Sequence, residues 1–224
     1  MLILGIDTSG KTASVALCSE DTVIAQTSVL TKLTHSQVIM PVCSRVLESA
    51  DVTLEDVDAI VCAKGPGSYT GLRIGVAAVK GMTFALDKKC CGISTLESLA
   101  YNFKGIKTAV CAVMHARLNL VYAAVFESDG VCVKRITEDA VISVEQLDEI
   151  IGAICSDVMI TGDYAKQYCD NSKVENILLA PPHLRLQLAS SLCFAAFEKE
   201  LISPDDLNAE YLQITKAEKD LKAK

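Results

Sequence analysis

Along this chain the apolar residues fall into two rhythms: short, almost unbroken runs, and longer segments with helical spacing. Residues 2–9, 12–19 and 22–31 are runs of the first kind. They are separated by Gly10-Lys11 and Glu20-Asp21, pairs that suit tight turns between strands. Residues 35–50 repeat apolar positions at helical intervals, which predicts a helix, and 58–63 reads as the next strand. A second helix is predicted over 70–86 with Thr70 as its cap, followed by a strand over 90–94. The same rhythm restarts near residue 108. Strands over 108–115 and 121–127 flank a short turn containing Asn119, and Ser128-Asp129-Gly130 turns the chain into a strand over 131–136. A helix over 144–154 capped by Ser143, strands over 158–161 and 174–179, and a helix over 186–201 complete the pattern. The order is β-β-β-α-β-α, twice, without clear identity between the copies. It predicts an α/β protein of two units, residues 1–103 and 104–224, in the actin-like ATPase or sugar-kinase architecture, where two such units face each other across a cleft.

Both helices of the first half carry more apolar surface than one core requires. At about 100° per residue, Val38, Ile39, Met40, Val42, Cys43, Val46, Leu47 and Ala50 form one wide arc on the first. On the second, Arg73 and Lys80 form a narrow charged stripe, and Gly71, Gly75, Ala78 and Ala85 line up as small residues opposite it. Two readings stand side by side: both helices lie deep in a large core, or their surplus meets another subunit. The second is favoured here, because a two-layer domain offers each helix a single sheet face. It assigns His35, Val38, Ile39, Val42 and Val46, with Gly71, Gly75, Ala78 and Met82, to a contact surface.

Composition narrows the function classes. Half of the 224 residues are hydrophobic and 22% are charged, so a substantial core is expected and disorder is not. A net charge of -7 argues against direct binding of nucleic acid, which needs clustered Lys and Arg. With no basic leader before Leu2 and no apolar run long enough for a bilayer, the reading is a cytoplasmic protein without membrane contact. None of the ten cysteines stands in a Cys-x-x-Cys pair, and Cys18, Cys62, Cys111 and Cys132 lie in apolar runs, so reduced thiols are expected.

The most specific stretch is Lys64-Gly65-Pro66-Gly67-Ser68-Tyr69-Thr70-Gly71-Leu72-Arg73-Ile74-Gly75, between a predicted strand and a helix. Such loops favour anions at the opening helix, yet the spacing fits neither a P-loop, since Leu72-Arg73 follows Gly71, nor a dinucleotide fingerprint. Pro66 and Thr70 flank Ser68 where a nucleophile elbow needs glycines. Asp7-Thr8-Ser9-Gly10 offers a carboxylate, hydroxyls and amides suited to a first phosphate turn, and is equally an ordinary strand-ending turn. No metal ligand set is legible: Ile39 occupies the place four residues after His35 where a second helical ligand would stand, and His115 and His183 lie in other segments.

Taken together, Ile3-Leu4-Gly5-Ile6-Asp7-Thr8-Ser9, His35-Ser36, the glycine segment, residues 92–100, Ala209-Glu210-Tyr211-Leu212 and residues 215–218 resemble the TsaB family, also called YeaZ and glycoprotease-like. The resemblance covers nearly the whole chain. It implies a non-catalytic, cofactor-free subunit of tRNA threonylcarbamoyladenosine synthesis. Such a subunit binds the catalytic TsaD, helps to recruit the ATPase TsaE, and forms a homodimer when alone, through its first two helices. The family commonly carries an Asp-Ala-Arg-Arg-Gly-Glu-Val-Tyr-like stretch where this chain reads His115-Ala116-Arg117-Leu118-Asn119-Leu120-Val121-Tyr122, so no contact is carried over there. Two alternatives remain at this level: a nucleotide-hydrolysing actin-like protein using Asp7 to Gly10, and a glycoprotease-type metallopeptidase lacking recognisable ligands.

Overall fold

Strands buried on both faces need no alternation of apolar and polar residues, and the runs over 2–9, 12–19 and 58–63 become such strands, whereas the run over 22–31 becomes a largely exposed edge strand. In the computed structural model, which describes residues 1–213, β1 (Ile3–Asp7) pairs antiparallel with β2 (Thr12–Cys18) and parallel with β4 (Ala59–Gly65). Outside these lie β3 (Val23–Leu30) beside β2 and β5 (Lys89–Ser94) beside β4, giving the order β3-β2-β1-β4-β5. The second sheet is built from β6 (Lys107–His115), β7 (Leu120–Asp129), β8 (Val133–Arg135), β9 (Ala140–Ser143), β10 (Val158–Thr161) and β11 (Ile177–Leu179). Its order is β11-β10-β6-β7-β8, with β9 also on β7. Read from the other edge, this is the first sheet again, so the repeated rhythm of the sequence is a repeat of topology.

Among the described residues, six α-helices cover these sheets: α1 (His35–Ser49), α2 (Tyr69–Leu86), α3 (Thr95–Tyr101), α4 (Val144–Gly152), α5 (Ala165–Asn171) and α6 (Ala189–Ala196). Because successive strand residues point to opposite faces, each strand feeds two cores. Leu4, Ile6, Ile60 and Cys62 pack with α1 and α2, whereas Ile3, Ala59, Val61 and Ala63 pack with α6. In the second sheet Cys111 and Val113 meet α4 and α5, while Val110, Ala112 and Met114 meet α3. The inner helices are exchanged: α6, late in the chain, lies on β1 and β2, and α3, which precedes the second sheet, lies on β6 and β7. Tyr101 Oη donates to Glu198 at 2.7 Å and Ser191 Oγ to Asn102 Oδ1 at 2.6 Å, tying these two helical regions together.

Three elements differ from expectation by being present at all: α3, α5 and β9 are too short for periodicity to register. A cap signal did exist for α3, since Ser94 Oγ accepts from the Glu97 N–H at 3.2 Å, a Ser-x-x-Glu start. The helix expected over 186–201 is confined to Ala189–Ala196, since residues 186–188 run extended into it and the Ala189 N–H is taken by Ser14 Oγ. The strand expected over 174–179 is only Ile177–Leu179. Cys132 is exposed at a turn, its N–H held by Asp129 Oδ1, and is not a strand residue. Residues 215–218, which contribute to the resemblance, lie outside the described residues. Among the described residues no helix is long and apolar enough to cross a membrane.

Candidate functional site

The turn between β1 and β2, the glycine loop between β4 and α2, and the turn between β6 and β7 all open on one cleft of about 710 Å³ between the two halves. Ser9, Gly10 and Lys11, with Pro66 to Tyr69, form one wall. Met114 to Arg117, Tyr122, Asp163, Tyr164 and Gln167 form the other, and Glu210 to Gln213 close the rim. On the second wall the His115 N–H donates to Asp163 Oδ1 at 2.9 Å, and the His115 ring lies 5.9 Å from that of Tyr164. Leu118, at the tip of the turn, is 92% exposed with a φ of +57°, an unusual conformation for leucine.

Ser9 and Gly10 line this cleft, with Asp7 and Thr8 buried beneath them and the Thr8 and Ser9 donors turned inward. Asp7 is fully buried, and its Oδ1 accepts both the Ser9 N–H at 2.8 Å and Ser9 Oγ at 2.6 Å. Thr8 Oγ1 donates to the Gly71 carbonyl at 2.7 Å. Burial pushes the Asp7 carboxyl above its usual range, the two Ser9 bonds and nearby His35 offsetting it only in part. A phosphate at this turn would find the hydroxyls and the Ser9 amide already spent on the protein, so the residues present do not fit a phosphate-binding turn in this arrangement. His35 is likewise built in: Nε2 lies 2.8 Å from the Gly10 carbonyl, and Nδ1 is buried. Among the described residues no group of three His, Cys, Asp or Glu side chains could hold a metal ion.

The glycine loop is shaped by close backbone approach. A Cβ on Gly71 would stand 2.0 Å from the Thr8 carbonyl oxygen, and one on Gly75 2.6 Å from Thr8 Oγ1. Gly71 and Gly75 therefore seat the β1–β2 turn of the same chain, which corrects the assignment of these two to a second subunit. Ser68, rather than Thr70, caps α2: its Oγ accepts the Gly71 N–H at 3.2 Å, while Thr70 is exposed as the second residue of the helix. Pro66 and Gly67 sit against the first turn, where the Ser68 N–H donates to the Ser9 carbonyl at 2.8 Å. Tyr69 and Arg73 face outward and meet Tyr211.

The proposed contact residues are mostly interior. Val38, Ile39, Val42, Val46 and Met82 are all under 9% exposed, packed with Leu4, Ile6, Val15 and Leu17. The wide arc of α1 is absorbed because the helix lies across the twisted sheet and also touches α2, so two neighbours share it. What remains outward is a smaller set: Met40 on α1, and Ala77, Gly81, Phe84 and Ala85 on α2, with Ala78 half-buried at the margin. Phe84 is 56% exposed, and a Cβ on Gly81 would meet nothing within 4 Å. The helical spacing of 77, 81, 84 and 85 is present in the sequence, beside the more strongly apolar Val76, Val79 and Met82, which the structure buries. The charged stripe of Arg73 and Lys80 meets residues 205–211: Arg73 Nε donates to Tyr211 Oη at 3.0 Å and Lys80 Nζ to the Asp205 carbonyl at 3.4 Å.

Residues 28–179 match the family described as TsaD, tRNA N6-adenosine threonylcarbamoyltransferase. A tRNA threonylcarbamoyladenosine biosynthesis protein TsaB from Bacillus subtilis is 31% identical over 97% of this chain and 96% of its own. Among solved structures, YeaZ from Pseudomonas aeruginosa superposes with a TM-score of 0.80 at 26% identity, covering 94% of this chain and 99% of that one. A 2-hydroxyisocaproyl-CoA dehydratase activator from Clostridium difficile, solved with bound ADPNP, shares the fold alone, at a TM-score of 0.52 and 11% identity over 91% and 100% of the two chains. The fold is thus the actin-like α/β architecture expected from the repeated rhythm, and with the near-complete match to both curated and solved relatives, the chain belongs to the TsaB (YeaZ) family.

Proposed function

We propose that this chain is a non-catalytic subunit in tRNA threonylcarbamoyladenosine synthesis, which binds a TsaD-like catalytic subunit and helps to recruit a TsaE-like ATPase. Family membership supports the pathway. The observation that carries the role is the uncharged outer strip of α2, where Ala77, Gly81 and Ala85 permit close helix approach and Phe84 supplies an exposed apolar anchor. A second copy of the chain occupies the strip when TsaD is missing. The inward-turned donors of Asp7 to Gly10 support a binding rather than a hydrolytic role.

Co-expression with the catalytic subunit of the same organism tests the reading. The wild-type chain should co-purify with it; Phe84→Glu and Gly81→Arg should lose the association while keeping the circular dichroism spectrum and melting temperature of the wild type. Association that survives both substitutions moves the contact elsewhere, and a wild-type chain that never associates removes the role.

A further inference from the structure

The glycine loop receives more than the β1–β2 turn. The chain's own segment 208–213 lies across its other side, and no part of the partner reading uses that contact. The Glu210 N–H donates to the Lys64 carbonyl at 2.7 Å, extending β4 by one rung, and Lys64 Nζ meets Glu210 Oε1 at 2.6 Å. Tyr211 stacks at 4.7 Å on Tyr69, whose other contact is the Arg73 guanidinium at 4.1 Å. A Cβ on Gly65 would stand 2.3 Å from the Glu210 carbonyl oxygen, and Gly65 also holds a φ of +132°. That glycine is therefore required by the seating of the segment as well as by its own backbone.

The segment also divides two cavities. The cleft and a smaller hollow of about 330 Å³ behind it share Pro66, Glu210 and Leu212 as common lining, so Glu210 and Leu212 stand as the partition between them. Lys64, Arg135 and Lys199 line the far side. We propose that residues 208–213 form a releasable strap. Docked, it separates the cleft from the hollow; released, it joins them into one groove and uncovers the Lys64 ammonium.

Release is inexpensive relative to unfolding because the docked contacts are peripheral. The Glu210 and Lys64 side chains are 59% and 31% exposed, Tyr211 and Leu212 are about two-fifths exposed, and such ion pairs and ring contacts are individually weak. Leu207, by contrast, is 1% exposed in the first core and fixes the near end of the strap as a pivot. Low-cost local opening of this kind is read by hydrogen exchange.

The test uses the full-length chain. In the wild type, the Glu210 amide, which donates to the Lys64 carbonyl, should be protected, yet exchange on the order of 100-fold faster than those of β1 and β4, through an opening insensitive to low denaturant. Gly65→Ala should remove that protection and leave β1 and the middle of β4, Ile60 to Cys62, unchanged; Gly65 itself ends that strand. If Gly65→Ala fails to fold, Glu210→Gln with Tyr211→Ala serves the same purpose. Lysine acylation followed by peptide mapping gives a second readout: Lys64 labelling should rise several-fold in the released variants while Lys166, remote and exposed, stays constant. A Glu210 amide that exchanges only with β4, or that is unprotected in the wild type, overturns the proposal. So does Lys64 labelling that is unmoved in variants whose strap is free.

Discussion

At the residue scale, burial decides what each substitution does. Val42 is 5% exposed among Leu4, Ile6 and Val15, so Val42→Glu buries an unpaired carboxylate and should cost about 3–5 kcal/mol. Urea unfolding should find that variant largely unfolded, in contrast to Phe84→Glu; equal stability of the two would refute the core assignment. The thiols give a second prediction. Burial pushes Cys43 and Cys111 up from the ordinary 9 to about 12, and Cys91 to about 11, whereas Cys132 and Cys155 are exposed. Brief alkylation of the native chain should label Cys132 and Cys155 first and spare these three until the chain unfolds. The same shifts carry a pH dependence. Below pH 9 the thiols are neutral in both states and their contribution is fully present. As the pH rises from 9 towards 12 the unfolded chain ionises first, and stability falls. A melting temperature that held constant from pH 8.5 to 11 would contradict it.

At the scale of elements, α2 shows how one helix meets four surroundings. Its inner face packs on the sheet, its first turn holds the β1–β2 turn, its charged stripe meets residues 205–211, and its outer strip is open. Ser68→Ala removes a cap worth about 1 kcal/mol and should lower the melting temperature by about 2–4 °C. Gly71→Ala should cost more, since its methyl would meet the Thr8 carbonyl at 2.0 Å, with backbone on both sides. Chemical denaturation ranks the two, and the reverse order would mean that the turn yields easily. Most of these elements were legible beforehand because strands such as β6, with Val110 to Met114 all buried, announce themselves as unbroken apolar runs. The surroundings of α1 and α2 were not. A helical projection counts apolar residues but not how many neighbours will cover them, and it cannot reveal that Gly71 and Gly75 face Thr8 across more than sixty residues of sequence.

At the scale of the whole molecule, the exchange of α3 and α6 makes the two sheets depend on each other. A cut at residue 103 separates the sheets but not the cores. It leaves Ile3, Ala16, Val61 and Ile93 without α6, and Leu96, Leu99 and Phe103 without the second sheet. The fragment 1–103 should therefore be insoluble or molten when expressed alone, with dye-binding apolar surface, and should recover a cooperative melt when 104–224 is supplied. A sharp melt of 1–103 by itself would show that the exchanged helix is dispensable. The sequence rhythm announced two units faithfully; it held no sign of the exchange, because α3 is seven residues long and α6 contributes mostly small side chains, Ala189, Ala195 and Ala196 among them.

That exchange also sets a schedule for the chain as it is made. The last strand of the first sheet ends at Ser94, but the helix that closes its inner face ends at Ala196. At roughly 5–20 residues per second, about 5–20 s of synthesis separate the two. Throughout that interval a nascent chain carries the apolar strands of the first sheet without their inner cover, open to whatever apolar surface they meet first. The growing polypeptide is thus most exposed to chaperone capture, or to misassociation on a crowded polysome, between its own two halves.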